Sequence, residues 1–167
     1  MSDILDLAGR VALVTGGGQG VGRQVALDLG GATGSGGVVV NDYVLERAES
    51  VAEEVRAAGG KALALQCDVS DHAAVKAMVA KASAELGPIG VLVNNAGNAG
   101  ANPSPELRRP FWETSPEVWN SFIGVNLYGV MNCTAAVIPG MIERQAPGRI
   151  VTIISDAGRG AHPARRS

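Results

Sequence analysis

The sequence contains few aromatic residues and little cysteine. Only 4% of its 167 residues are Phe, Trp or Tyr, and its two cysteines are Cys67 and Cys133. A core with so few rings consists mainly of Val, Ala, Leu and Ile, which favours α/β layer packing over an aromatic-rich β-sandwich. Two cysteines are too few for a disulfide framework, so a reducing, cytoplasmic location is expected.

Net charge and metal-ligating residues are also scarce. The formal charge of −2 gives no reason to expect nucleic acid or an anionic membrane as a partner. His72 and His162 are far apart and show no metal-ligand spacing, so no metal is expected. No apolar run approaches the roughly 20 residues of a membrane span. The first ten residues lack the pattern of a secretory signal. The length of 167 residues indicates a single domain.

Glycine, in contrast, is abundant, and four glycines lie between Thr15 and Gly20. Residues 11–14 before them are a non-alternating apolar run, typical of a strand buried on both faces. From Val21 onwards, apolar residues recur at four-residue spacing, which predicts a helix. A strand that enters a helix through a glycine turn directs unpaired N–H groups and the positive end of the helix dipole at one point. That arrangement suits a diphosphate.

Strand and helix patterns alternate along the rest of the chain. Further strands are predicted over residues 38–40, 62–67, 91–93 and 149–154. Further helices are predicted over 45–58, between the cap at 68–71 and the break at 87–88, from Pro116 to Pro139, and in a short extension over 141–145. Residues 98–115 are predicted to form a long loop. This alternation predicts a doubly wound Rossmann-type α/β fold, with a parallel sheet in the order 3-2-1-4-5.

Polar candidates follow directly after the predicted strands, where a doubly wound sheet binds its ligand. Asp42 comes twenty residues after Gly22, a position from which a carboxylate accepts hydrogen bonds from the adenosine ribose. The same carboxylate repels a 2′-phosphate, and Gln19 adds no positive charge to the turn, so NAD is favoured over NADP. Capping of the next helix remains an alternative role for Asp42 and for Asp68.

The sequence resembles the short-chain dehydrogenase/reductase family, because four motifs of that family occur in it in the same order. They are the spacing Thr15-Gly16-x-x-x-Gly20-x-Gly22, the sequence Asn94-Asn95-Ala96-Gly97, Asn126 in WNSFIGVNLYGVMN, and Ser155 in GRIVTIIS. The resemblance extends from Leu5 to about Gly158. It identifies residues 1–158 as an NAD(P)-binding Rossmann domain and leaves 159–167 as an unstructured basic tail.

The resemblance implies a role for each matching residue. The implied cofactor-binding residues are Gly16, Gly18, Gln19, Gly20, Val21, Gly22, Asp42, Asp68, Val69, Asn95, Ala96 and Gly97. Asn126 is implied to help hold a proton-relay water, and Ser155 to hydrogen-bond the substrate carbonyl. The implied activity is hydride transfer between NAD(P) and an alcohol or ketone, with 3-oxoacyl thioesters and cyclic ketones as candidate substrates. The helix from Pro116 to Pro139 is the expected surface for a homo-oligomer.

The family pattern also includes a Tyr, followed four residues later by a Lys, about a dozen residues after the Ser. The Tyr is the general acid/base and the Lys lowers its pKa. Thirteen residues after Ser155 is position 168, one beyond Ser167. The sequence is therefore predicted to be a truncated or frame-shifted product of a longer reductase gene, with a sheet incomplete on its C-terminal side. The alternatives are a catalytically dead nucleotide-binding fragment and an S-adenosylmethionine methyltransferase, which shares the first half of the fold.

Overall fold

The computed structural model describes residues 6–97 and 105–155, and five parallel strands form the centre of the fold. The strands are β1 Val11–Thr15, β2 Gly37–Asp42, β3 Ala62–Gln66, β4 Ile89–Asn94 and β5 Arg149–Thr152. Their order in the sheet is β3-β2-β1-β4-β5, and each neighbouring pair is parallel. The predicted strand order is confirmed.

Helices connect the strands on both faces of the sheet. They are α1 Gly20–Gly31, α2 Leu45–Ala57, α3 His72–Leu86, α4 Pro116–Ile123 and α5 Val130–Glu143, with a π-helical turn, Gly124–Gly129, joining the last two. The described part of the predicted long loop contains two short 3-10 helices, Pro105–Arg108 and Phe111–Glu113. Residues 98–104 of that loop, the boundary at 158 and the tail 159–167 lie outside the described residues.

Each face of the sheet buries its own apolar cluster, because strand residues alternate between the two faces. One cluster joins Val14 and Val40 to Val51 of α2. The other joins Leu13 and Leu92 to residues of α3 and α5. With helices on both sides, both sets of alternating side chains are removed from water. This explains why β1, β2 and β4 are continuous apolar runs in the sequence.

The predicted end of the long helix at Pro139 is wrong. Pro139 lies inside α5, which continues to Glu143. Proline lacks an N–H and disfavours a helix interior by about 3 kcal/mol. Here the ring is on the exposed side of the helix, while Val137 is buried in the core and Met141 packs against it. Burial of the apolar face on both sides of Pro139 therefore maintains the helix.

The helical stretch Pro116–Glu143 is long and apolar enough to cross a membrane, with a mean hydropathy of 1.4 over its most apolar window. The sequence shows no unbroken apolar run of that length here, because polar residues interrupt the stretch. Cys133 and Val137 of this stretch lie in the core cluster shared with α3 and β4. Only 17% of the apolar window is buried, so most of this stretch is at least partly exposed on the surface of the domain.

Strand β5 is exposed along its length. Ile150 and Val151, whose side chains alternate between the two faces, are 40% and 48% exposed. The strand ends at Thr152, two residues before the predicted end, although the Ile153 N–H still donates to the Asn94 carbonyl at 2.9 Å. The predicted apolar edge strand is therefore present, in a shorter form.

Candidate functional site

The glycine turn between β1 and α1 adopts a backbone that other residues rarely take. Gly16 and Gly20 have φ angles of +61° and +56°. The Gly17 N–H donates to the Asn41 carbonyl at 2.7 Å, which attaches the turn to the end of β2. A Cβ at Gly16 would lie 2.9 Å from the Cα of Ala96. The turn is therefore held against the ends of two neighbouring strands, and glycine is needed both for its φ angles and for its close contacts.

Thr15 and Asn95 join the turn to the end of β4 through reciprocal hydrogen bonds. The Thr15 hydroxyl accepts from the N–H groups of Asn95 and Ala96 at 3.1 and 3.0 Å. The Asn95 side-chain amide donates to the carbonyls of Thr15 and Gly16, both at 3.0 Å. A Cβ at Gly22 would collide with this amide and with the Gly16 carbonyl. Thus the Asn95 side chain holds the turn, and Gly22 brings α1 close to it.

Asp42 is buried at the end of β2, and its carboxylate joins two segments. One oxygen, Oδ2, accepts from the Gly18 N–H at 3.1 Å, and Oδ1 accepts from the Val44 N–H at 3.0 Å, at the start of α2. A Cβ at Gly18 would lie 2.7 Å from Oδ2, so a side chain there would push the carboxylate away. Each carboxylate oxygen has a second lone pair. Asp42 therefore retains acceptor capacity toward a ribose while it stabilises the turn.

Asp68 and Asp71 have different roles in the predicted capping stretch. Asp71 caps α3, because its side chain accepts from the N–H groups of Ala73 and Ala74 at 2.9 and 3.0 Å. Asp68 instead closes a tight turn by accepting from the Ser70 N–H at 2.9 Å and hydroxyl at 2.7 Å. Helix capping therefore belongs to Asp71, and Asp68 faces the crevice described next.

A crevice of about 690 Å³ runs along the carboxyl ends of β1 to β4. Of the predicted cofactor residues, those that line it are Gly16, Gln19, Gly20, Val21, Gly22, Asp42, Asp68, Val69, Asn95, Ala96 and Gly97. Gly18 is not a lining residue; it lies against Asp42 and Arg47. Six lining residues were not predicted from the sequence: Asn41, Tyr43, Val44, Arg47, Cys67 and Val125. Most of these directly adjoin a strand end, a position that identifies them only once the sheet register is known.

The two predicted catalytic residues, Asn126 and Ser155, do not line the crevice. Asn126, in the π-helical turn, donates from its side-chain amide to the Phe122 carbonyl at 2.9 Å. Its Oδ1 would lie 3.2 Å from a Cβ on Gly97, a lining residue. Ser155 follows β5 and is therefore at the carboxyl edge of the sheet. Their catalytic roles stay predictions.

The two thiols are poor nucleophiles at neutral pH. Burial, followed by the carboxylates of Asp68 and Asp71, raises the pKa of Cys67 from 9.0 to about 11. Burial and then the neighbouring Cys67 raise the pKa of Cys133 to about 12. Within residues 6–97 and 105–155, no group of three or more His, Cys, Asp or Glu side chains comes together as a metal site.

A parallel α/β sheet with a glycine turn after β1, a carboxylate after β2 and a crevice at its carboxyl edge defines a Rossmann-type nucleotide-binding domain. The family model described as short chain dehydrogenase matches residues 10–166. The chain therefore belongs to the short-chain dehydrogenase/reductase family, and the resemblance found in the sequence is confirmed. The same match argues against the methyltransferase alternative.

Similar proteins include two groups of bacterial reductases. The 5-keto-D-gluconate 5-reductase of Escherichia coli K12 is 37% identical over 157 residues, which are 93% of this chain and 57% of that protein. The 3-oxoacyl-[acyl-carrier-protein] reductase FabG of Staphylococcus aureus is 37% identical over 156 residues, which are 92% of this chain and 59% of that protein. The chain thus spans less than two thirds of the length of these relatives.

Similar solved structures contain either of the two nicotinamide cofactors. A 7α-hydroxysteroid dehydrogenase complexed with NADH and 7-oxo glycochenodeoxycholic acid matches with a TM-score of 0.84 at 30% identity, over 97% of this chain and 59% of that one. A metagenomic short-chain oxidoreductase in complex with NADP matches with a TM-score of 0.79 at 34% identity, over 93% and 66%.

Proposed function

We propose that this chain forms the cofactor-binding part of an oxidoreductase that transfers a hydride between NAD and an alcohol or ketone. The observation that carries the proposal is the convergence of the glycine turn, Asp42 and the Asn95–Gly97 backbone on one crevice. A side chain at Gly16 or Gly22 would intrude on the packed turn, so the glycines fit a backbone that approaches a diphosphate closely. The relatives support this proposal, since their names describe reductases and a dehydrogenase.

We propose NAD as the preferred cofactor because Asp42 places a carboxylate at the ribose end of the crevice. A 2′-phosphate there would meet a buried negative charge, while Gln19 contributes no compensating cation. Of the described lining residues, Arg47 alone is cationic, and its side chain is exposed. Titration of NADH and NADPH by fluorescence tests the preference. We expect an affinity for NADH at least about tenfold higher, and equal affinities would contradict it.

The proposed chemistry assigns roles to the predicted catalytic residues. When bound, the nicotinamide accepts or supplies the hydride. The Ser155 hydroxyl donates a hydrogen bond to the substrate carbonyl oxygen, and this bond strengthens as negative charge develops on that oxygen. The Asn126 carboxamide holds a water through which a proton leaves or enters the site. The candidate substrates are 3-oxoacyl thioesters and cyclic ketones, between which the described residues do not discriminate.

A non-catalytic nucleotide-binding role is the second candidate. Among these 167 residues, Tyr43 is followed four residues later by Arg47, and Tyr128 by Asn132, so neither forms a Tyr-x-x-x-Lys pair. A general acid/base of that kind contributes about 10²–10⁴ to the rate. Binding of NADH without ketone turnover would support the non-catalytic role, and turnover would support the enzyme. Failure to bind NADH would contradict both.

We also propose that the exposed face of the long helix pairs with a second copy of the chain in the cytoplasm. Leu127 and Met131, one turn apart, are 53% and 56% exposed, and Ile142 is 71% exposed. An apolar face of this length is characteristic of an interaction surface. Sedimentation of the wild type and of Met131→Asp tests the pairing. A dimer that the substitution dissociates is expected, and a monomeric wild type would contradict it.

A further inference from the structure

We propose that Asn132 is a positioning residue for the adenine-side wall of the crevice, acting through the backbone of Val69 and Ser70. The inference rests on the proposed function, because its readout is the binding of a nucleotide. Asn132 is in α5 and is not a lining residue, whereas Val69 is. Any effect of Asn132 on the nucleotide must therefore pass through the segment between β3 and α3.

The side chain of Asn132 holds this segment in place through hydrogen bonds. The Asn132 side-chain amide donates to the Val69 carbonyl at 2.9 Å and to the Ser70 carbonyl at 3.2 Å. Its Oδ1 lies 3.2 Å from Nδ1 of His72, the first residue of α3. Because the amide nitrogen is used as the donor, Oδ1 is the acceptor, and the His72 ring donates through Nδ1–H. Asn132 thus contacts three residues at and just before the start of α3: Val69, Ser70 and His72.

The segment is also held by burial, because Val69 is 5% exposed and belongs to the core cluster shared with α3 and α5. Among the described residues, the Asp68 carboxylate bonds within the turn, to the Ser70 N–H and hydroxyl. The Val69 side chain packs against Gly129, where a Cβ would lie 2.6 Å from Val69 Cγ2. Gly129 ends the π-helical turn, three residues before Asn132. Packing of Val69 in the core and against Gly129, together with two hydrogen bonds from Asn132, therefore sets the position of this segment in the crevice wall.

Nucleotide selectivity provides a readout that separates positioning from a general structural role. If Asp68 and Val69 contact the base, the wild type distinguishes adenine from hypoxanthine, which differ in the exocyclic group at the ring edge. The test titrates NADH and reduced nicotinamide hypoxanthine dinucleotide into the full chain. Replacing Asn132 by Leu keeps the size of the side chain and removes both donors. We expect an affinity for NADH about tenfold lower, and a smaller preference for adenine.

Asn120→Leu is the matched control, since Asn120 is an exposed asparagine of α4 outside the crevice lining. It is expected to bind both nucleotides as the wild type does. If Asn132→Leu does not fold, as judged by circular dichroism without ligand, Asn132→Ser takes its place with the same expected result. A variant that retains wild-type affinity, or that loses affinity for both nucleotides by the same factor, would overturn the proposal. Equal affinity of the wild type for both nucleotides would also overturn it, while a wild type that binds neither would contradict the proposed function itself.

Discussion

Asp42 has a structural role in addition to the ribose recognition proposed for it. It is buried, and its two oxygens already accept N–H groups from the glycine turn and from the start of α2. A substitution at this residue is therefore expected to change the position of the turn as well as the charge proposed to face the ribose. Hydrogen bonds to a charged group contribute about 1.5–3 kcal/mol, more than neutral ones.

The first prediction concerns Asp42→Asn, which keeps the shape of the side chain and removes its charge. We expect the affinity for NADH to fall about tenfold and the difference between NADH and NADPH to narrow. The free energy of unfolding should fall by about 1–2 kcal/mol, because one N–H of the turn or of α2 would face the new amide donor. Fluorescence titration and urea unfolding measure the two effects. The control is Glu46→Gln, which removes an exposed charge in the first turn of α2 and should alter neither the affinities nor the stability. An unchanged ratio of the NADH and NADPH affinities in Asp42→Asn would contradict the proposed role.

A second prediction at the same scale compares two glycines of α1. A methyl group at Gly22 would collide with the Gly16 carbonyl and the Asn95 amide, whereas one at Gly31 would meet nothing within 4 Å. We expect Gly22→Ala to lower the free energy of unfolding by about 1–3 kcal/mol through overpacking. Gly31→Ala should be neutral, or stabilising by up to about 1 kcal/mol. Denaturant titration of both variants measures the difference, and equal stability would show that the turn is not tightly packed.

At the scale of elements, the connection between β1 and β4 depends on a hydroxyl at the end of a strand. Thr15 is 2% exposed, and its oxygen accepts two backbone N–H groups from the segment after β4. No feature of the local sequence predicts this pairing, because the partners are 80 and 81 residues away. The same holds for Asn41, whose buried amide donates to the carbonyls of Leu65 and Cys67.

The third prediction tests this connection with Thr15→Val, which retains the branched shape and removes the oxygen. Two partly buried N–H groups would lose their acceptor, so the free energy of unfolding should fall by about 1–3 kcal/mol. The affinity for NADH should fall too, because the turn and the Asn95–Gly97 backbone would separate. Thr33→Val, at an exposed threonine after α1, is the control for the loss of a hydroxyl. Wild-type stability of Thr15→Val would contradict the hydrogen-bonding account.

The elements differ in how far the sequence predicts them. Local signals predicted the strands and the glycine turn, since periodicity and glycine content do not depend on distant residues. The strand order followed from the doubly wound topology that the alternation of strands and helices predicts. The end of the long helix was not predictable at Pro139, because burial of Val137 and Met141 outweighs the missing hydrogen bond. Arg47 was not predicted as a lining residue, because its position depends on tertiary packing, namely on how α2 packs beside the turn.

At the scale of the whole molecule, the raised pKa of Cys67 makes stability depend on alkaline pH. The folded state keeps its proton up to about pH 11, while an exposed thiol loses it near pH 9.0. The folded state therefore binds more protons between these values, so the contribution is complete below pH 9 and is lost as the pH approaches 11.

The fourth prediction compares the wild type with Cys67→Ala. The free energy of unfolding of the wild type should decrease between pH 9 and 11, and that of Cys67→Ala should decrease less steeply. Urea unfolding at several pH values measures both slopes. At neutral pH, a thiol reagent should modify the folded wild type far more slowly than the unfolded chain, because the thiolate is the reactive form. Rapid modification of Cys67 in the folded state, or identical slopes in the two proteins, would contradict this account.

The reciprocal bonds between Thr15 and Asn95 have an energetic consequence for any nucleotide the crevice accepts. Its floor is assembled from segments 80 residues apart, so it does not exist in a chain whose sheet has opened. A ligand in this crevice therefore binds the folded state alone. At a concentration of one hundred times its dissociation constant, it would raise the free energy of unfolding by about 2.7 kcal/mol. Resistance to proteolysis should accordingly rise with the concentration of any nucleotide that binds in this crevice.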